Sequence, residues 1–334
     1  METRKVQQTG GSTYIISLPK QWADKVGIAP GIRVGVQPQP DGKLLICPTI
    51  DSKPLRKKTI DITNITGQAL ERDVIAAYLA GYDIIEFVSP KIMAEQKKIL
   101  RTICYKLIGP EIIEENSNSV LVQDLLNPND LSIKKAIQRM YLISNSMFCD
   151  AVIALKNCDL DLATDVDERD DEVDRLYLVI SKQFKSILCG TSFLDTNEAS
   201  VEEYHDFRMA ATPIERIADH SQKIARVVLS MKPKIDPETM DEIEKISRLA
   251  KQTSEKAMDA LYSSNAKLAN QAIDSQKEIN TLIAKFTLEK FNNNTKLSFE
   301  NVLALRVVMD SIGRIGDYSM NIAEIAINAS IESK

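Results

Sequence analysis

The sequence predicts a mainly α-helical protein, with two tandem three-helix bundles preceded by a small α/β segment and by a β-rich module at the N-terminus. Three observations predict it. From about residue 128 onward the chain is a succession of long amphipathic stretches, divided near the middle by Pro233 and Pro237. Within them one stretch occurs twice. Arg216/Arg314, Ile217/Ile315, Asp219/Asp317, Ser221/Ser319, Ile224/Ile322 and Ala225/Ala323 are identical at a spacing of 98 residues, more than shared helical patterning explains. Aromatic residues make up only 5% of the chain, with one Trp, while Ala, Ile and Leu dominate its second half, which disfavours a β-sandwich. At 334 residues, 44% of them hydrophobic and 27% charged, the chain is long enough for two or three domains with a real core.

The N-terminal module spans residues 1–50. Arg4 to Thr9 reads as a strand, Gly10 and Gly11 as a turn, and Tyr14 to Leu18 as a second strand stopped by Pro19. Pro19 opens a short helix with Trp22, Val26 and Ile28 on its apolar side, and Ala29, Pro30 and Gly31 end it. Ile32 to Gln37 and Lys43 to Cys47 read as two further strands around the turn Gln39 to Gly42. A β-β-α-β-β unit this small holds little core alone, so a homodimer is expected to complete it. It is also basic. Residues 1–58 hold ten Lys and Arg against four Asp and Glu, a net of +6, so with −5 for the whole chain the remainder carries −11. One end is thus suited to a polyanion and the other to cations or a different partner.

The order of these elements and their wording, TGGSTYIISLPKQWADKVGI followed by GIRVGV, resemble the AbrB/MazE/SpoVT swapped-hairpin family over residues 2–48. The resemblance implies an intertwined dimer that binds DNA. Arg4 and Lys5 on the first strand, with Lys20, Lys25 and Arg33 nearby, would then supply salt-sensitive phosphate and groove contacts. The alternative is a dimerisation module with ordinary surface charges.

The middle segment, 51–127, begins with a charged linker, Asp51 to Lys58. A strand (Thr59 to Ile65), a helix (Gly67 to Ala80), a strand (Asp83 to Val88), a helix (Ala94 to Ile108) and a last apolar stretch (Ser119 to Gln123) follow. Gly81 and Gly109 with Pro110 serve as helix stops. The segment has no glycine-rich phosphate loop, no His and no nucleophile beside a base.

The helical body divides into bundles at 128–232 and 233–334, with helices expected at 131–157, 160–188, 199–231, 236–263, 265–291 and 298–332. Ala151, Ala154, Leu155, Glu172 and Leu176 match Ala257, Ala260, Leu261, Glu278 and Leu282, which points to duplication. The third helix carries an apolar stripe of Ile214, Ile217, Ser221, Ile224, Ala225 and Val228, with Asp219 off it. Asp170 and Asp174 stand one turn apart on the second helix, and Glu215 and Asp219 one turn apart on the third. Four carboxylates on neighbouring helices repel one another, which a bound cation would relieve. An all-oxygen set suits Mg²⁺, Mn²⁺, Ca²⁺ or iron rather than structural zinc. Two unrelated solvated acidic pairs are the alternative.

Over residues 131–332 the chain resembles the PhoU family, whose two three-helix bundles carry E(D)xxxD motifs and an Arg-Ile-Gly-Asp signature. Asp170 with Asp174, Glu215 with Asp219, and Arg314-Ile315-Gly316-Asp317 match them. Fusion to an AbrB-like module resembles archaeal phosphate-uptake regulators. The resemblance implies a divalent or trivalent metal at Asp170, Asp174, Glu215, Asp219 and Asp317, and negative regulation of phosphate uptake through phosphate ABC transporter components or a phosphate-signalling protein. The second bundle departs from the pattern: Gln276, Asn280 and Gly313 stand where the first has Asp170, Asp174 and Glu215, and only Asp317 is kept, with Asp274, Glu278 and Asp310 expected within reach of it.

The expected function is a phosphate-responsive regulator that binds DNA through the N-terminal dimer and metal, phosphate or transporter components through the helical body. The alternative is an adaptor that inhibits phosphate transport or signalling through protein contacts alone. No enzyme is expected, because Glu202-x-x-His205 is a single Glu-x-x-His match and a di-metal carboxylate oxidase needs two. His220, beside Asp219, is expected at the surface, with a ligand or phosphate contact as the alternative. Five scattered cysteines without CxxC spacing, no signal-like stretch and no membrane-span-length apolar run place the chain in the cytoplasm, without membrane insertion.

Overall fold

The computed structural model describes residues 2–38, 42–48, 55–126, 131–189, 200–292 and 298–332. The chain forms two compact units, Met1–Leu55 and Arg56–Lys334.

In the first unit, β1 (Gln7–Thr9) pairs antiparallel with β2 (Thr13–Ile15), and β3 (Gly35–Pro38) pairs antiparallel with β4 (Leu44–Cys47). The β1–β2 turn needs glycine, since Gly10 and Gly11 sit at φ 63° and 78°. Between the hairpins lies α1 (Lys20–Val26), which follows Pro19 and ends at Gly27, φ 77°. The expected turn at Gln39 to Asp41 lies outside the described residues. Both hairpin pairings stop short of the predicted strands: among the described residues, 4–6, 16–18 and 32–34 have no neighbouring strand in a single copy. No described residue of this unit is buried.

The second unit opens with a mixed sheet of order β5-β6-β8-β7. Its strands are β5 (Lys57–Asp61), β6 (Ile84–Val88), β7 (Pro110–Glu115) and β8 (Ser119–Asp124), with α2 (Gly67–Leu79) and α3 (Ala94–Lys106) between them. β5 runs parallel to β6, and the other pairings are antiparallel. Two expectations are corrected here. The expected strand at 59–65 begins earlier and stops at Asp61, because the Asp61 carboxylate accepts the Thr63 N–H at 2.8 Å and Asn64 takes φ 65°, which turns the chain. Pro110, expected only as a helix stop, opens the edge strand β7, where its missing N–H does no harm, and three Glu residues hide the strand pattern.

Ile62, Leu70, Val74, Phe87, Leu100 and Val120 fill the core between this sheet and its helices. Buried Gln96 ties the β5–α2 loop to α3, donating to the Ile62 and Ile65 carbonyls at 2.9 and 2.8 Å and accepting from Met93 N–H at 2.8 Å.

The helical body follows as α4 (Ile133–Asn157), α5 (Leu160–Leu188), α6 (Val201–Met231), α7 (Pro237–Ser263), α8 (Ala266–Asn292) and α9 (Phe299–Glu332). The ends are set locally. Asp159 accepts from Asp161 and Leu162 N–H, Ser200 and Glu203 form a capping box, and Asp236 caps Thr239 N–H ahead of Pro237. Helices α4–α6 form one bundle and α7–α9 the other; α6 packs along α9, and α4 meets α7. Ile137, Ile180, Ile214, Ile224, Ile243, Val308, Ile315 and Ile322 belong to a single core that runs through both.

The α/β layer joins this body through α5. Leu178 packs into its core, and Lys182, only 8% exposed, pairs with the Asp124 carboxylate and lies 4.5 Å from the centre of the Tyr78 ring. Burial pulls this ammonium down to about 8. Among the described residues, no helix is long and apolar enough to cross a membrane.

Candidate functional site

In the N-terminal unit Arg4, Lys5, Lys20, Lys25 and Arg33 are all exposed. Arg4 is engaged by the Glu2 carboxylate. The same unit exposes the large apolar side chains of Val6, Tyr14, Ile15, Ile16, Val36 and Leu44 to between 46% and 73%.

The first bundle brings four of the predicted carboxylates together. Asp170 and Asp174 project from α5 and Glu215 and Asp219 from α6, one helical turn apart on each, while the stripe Ile214, Ile217, Ser221, Ile224, Ala225 and Val228 is buried as predicted. Their charges are felt across the two helices. Burial, then the nearby Asp174, Asp219 and Glu215, push Asp170 up to about 7; burial, then Asp219, push Glu215 up to about 7; and burial, then Asp219, raise Asp174. One oxygen, Asp170 Oδ1, is buried without a hydrogen-bond partner. A residue that the carboxylate spacing does not reveal also takes part. Arg216 reaches Asp219 Oδ2 at 2.7 Å and Glu215 Oε2 at 3.4 Å, serving as a counter-ion on the α6 side.

As the side chains stand, no three His, Cys, Asp or Glu residues among those described are arranged to hold a metal ion. The donor chemistry nonetheless fits a hard cation: four carboxylates, an orphaned oxygen, and two groups kept partly protonated near neutral pH by burial and mutual repulsion.

Asp317 belongs to the equivalent place in the second bundle, and there the arrangement differs in kind. Gln276, 2% exposed on α8, donates from Nε2 to Asp317 Oδ1 at 2.6 Å, and to the Gly313 carbonyl and Asn280 Oδ1 at 3.3 Å each. An amide N–H group thus sits against the carboxylate where its counterpart Asp170 offers oxygens. Asp274 and Glu278, expected within reach of Asp317, are exposed, and Asp274 pairs with Lys277 at 2.9 Å. Room for the amide comes from Gly316, whose place Ala218 takes in the first bundle; a Cβ at 316 would meet Gln276 Oε1 at 1.9 Å. Gly316→Ala is therefore expected to destabilise by about 1–2 kcal/mol, the lost charge-assisted bond outweighing the gain of Ala over Gly in a helix. Adding Gln276→Ala should remove most of that loss in a denaturation double-mutant cycle, whereas additive losses would show the two residues to be uncoupled.

His220 is not a surface residue. It is 6% exposed between α6 and α9, its ring 5.7 Å from that of Tyr318, and burial together with Lys223 lowers it to about 4. A single apolar stripe on α6 does not predict this, because α6 buries a second face against α9. His205 stays exposed beside the Phe184 ring.

Comparison with protein families matches the PhoU domain twice, at residues 137–228 and 243–326, and the antidote-toxin recognition domain MazE of bacterial antitoxins at residues 7–54. Among solved structures, PhoU from Pseudomonas aeruginosa is 22% identical with a TM-score of 0.49, covering 60% of this chain and 96% of that one. The phosphate transport system regulatory protein PhoU from Streptococcus pneumoniae is 14% identical with a TM-score of 0.50, covering 59% of this chain and 92% of that one. At that identity the second likeness is one of fold. No curated protein matches the chain.

Proposed function

Because the two PhoU domains together span more than half of the chain, the protein belongs to the PhoU family, and we propose that it is a phosphate-responsive regulator of phosphate uptake. In this reading the N-terminal units of two copies form a dimer that holds DNA, and the helical body responds to metal, phosphate or phosphate-transporter components. The observation that carries it is the union on one chain of two PhoU domains with a MazE-type module. The exposed cations Arg4, Lys5, Lys20, Lys25 and Arg33 on that module support the DNA contact.

Asp170, Asp174, Glu215 and Asp219 would hold the metal, an ion such as Mg²⁺, Mn²⁺, Ca²⁺ or iron, and its charge would relieve the repulsion among them. Asp317 would not, because Gln276 already meets it with an N–H donor. Arg216 would have to yield Asp219 to the ion, which makes this arginine the internal competitor of the metal. No bond is made or broken in such a role.

A second reading is favoured by the match of the N-terminal unit to an antidote-toxin recognition domain. There the N-terminal unit is a protein-binding dimer and the chain an adaptor.

Fluorescence anisotropy of labelled promoter DNA from phosphate-uptake genes, over a salt series and with or without metal and phosphate, separates the two. Binding that weakens steeply with salt, and that Arg4→Ala with Lys5→Ala reduces about tenfold or more through lost phosphate contacts, is the expected result. Absence of binding even at low salt would leave the adaptor.

A further inference from the structure

Helices α4 and α7, the first of each bundle, leave a groove where they meet, with a cavity of about 360 Å³. Its floor is apolar, made by Phe148, Val152 and Ile153 of α4. Its polar wall comes from one face of α7, where Ser247, Arg248 and Lys251 follow at helical spacing. Such a combination, a mostly apolar concavity with a few convergent polar groups, falls within the range of roughly 300–1,000 Å³ typical of small-molecule sites.

The polar wall is unfinished. Ser247 is 5% exposed, and its hydroxyl has no partner. Buried helical hydroxyls at Ser144, Ser221, Thr253 and Ser319 each donate to the carbonyl four residues back, whereas those of Ser247, Ser254 and Ser311 have no partner, and of these three only Ser247 lines the groove. A buried hydroxyl without a partner is costly unless something completes it. Among the described residues Arg248 meets no carboxylate; its Nε reaches only the Glu244 carbonyl, at 3.4 Å. Lys251 has a loose ion pair with Glu255 at 3.6 Å, and the Glu244 carboxylate on the rim is taken by Lys156 at 2.8 Å. The groove therefore presents one hydroxyl and two cations above an apolar floor.

We propose that this groove binds a small amphipathic anion, a carboxylate on an apolar chain or ring. The carboxylate accepts from the Ser247 hydroxyl and the Arg248 guanidinium beside the Lys251 ammonium, and the apolar body lies on Phe148, Val152 and Ile153. The site is separate from the carboxylates of α5 and α6, so it stands whether or not those bind metal.

Calorimetric titration of the full chain with octanoate, 1-octanol, acetate and inorganic phosphate tests it. Octanoate is expected to bind at one site per chain, and octanol and acetate at least about tenfold more weakly, since each lacks one half of the recognition. Arg248→Gln should weaken octanoate about tenfold, the worth of a charge-assisted hydrogen bond. Ile153→Glu, at an exposed position of the floor, should weaken it further by setting a carboxylate against the ligand. Both variants should melt as the parent does, which separates lost binding from lost folding. Failure of octanoate to bind, equal binding of octanol, preference for phosphate, or binding that neither variant alters would overturn the proposal.

Discussion

A chain carrying Val36→Glu and Leu44→Glu is expected to be a monomer whose first 55 residues are unfolded, while the unit from Arg56 onward melts as before. Val36 and Leu44 lie on one face of the β3–β4 hairpin, because Val36 pairs with Ile46 and Leu44 stands two residues before Ile46. They are 56% and 54% exposed in a single copy. An isolated two-stranded hairpin is at best marginal in water, and this unit buries none of its described residues. Covering six such side chains with a second copy at roughly 1 kcal/mol or more each would supply what the single copy lacks. Two buried carboxylates would reverse it. Sedimentation equilibrium together with amide exchange of residues 2–48 checks the outcome. A monomeric parent chain with protected hairpin amides would show that the unit stands alone, and the dimer proposal would be lost. The same pair of substitutions should abolish DNA binding if dimerisation precedes it, without touching the five cations.

Much of the helical body is legible in the sequence alone, for reasons that can be named. Pro233 and Pro237 mark the break between the bundles, and apolar residues at helical spacing mark the inward faces; each of these signals is local. The repeat tells more than the spacing does, since it marks Asp219 and Asp317 as counterparts. What stays hidden depends on which helix lies against which. Periodicity assigns one buried face to α6, and His220 lies on a second face created by α9. Strand β7 hides behind the glutamates of an edge that needs only one apolar side. The substitution of Gln276 for an acid is visible in the sequence; that its amide turns onto Asp317, in space left by Gly316, is a matter of side-chain placement. Arg216 is visible as a repeated residue, and its role as counter-ion emerges only from geometry.

Replacing Asp170 by Asn is expected to have opposite effects on the metal-free and metal-loaded protein. Asp170 and Glu215 are both pushed up to about 7, so between about pH 4 and 7 the folded protein holds protons that the unfolded chain has released. Their contribution to stability is therefore most favourable at low pH, declines as pH rises through that window, and is unfavourable above it. The amide of the Asp170→Asn variant cannot ionise and escapes that decline. At pH 8 the variant should be more stable than the metal-free parent by about 1–2 kcal/mol after solvent screening at a half-open site. At pH 4 the two should nearly coincide. Divalent cation at pH 8 should raise the parent's melting temperature by mass action, an effect that grows with metal concentration and is missing from the variant. Reversing Asp174 or Asp219 to Lys should also abolish metal uptake while leaving the buried stripe of α6 intact, with bound metal read by elemental analysis. Thermal melts of parent and variant at both pH values, with and without metal, give the answer. A parent melt indifferent to cations, beside a variant gaining stability at pH 8, would mean that the cluster is a pair of strained acidic turns restrained by Arg216 rather than a metal centre. If neither changes, the carboxylates are solvated well enough to ionise freely, and the response to phosphate has to be sought elsewhere on the chain.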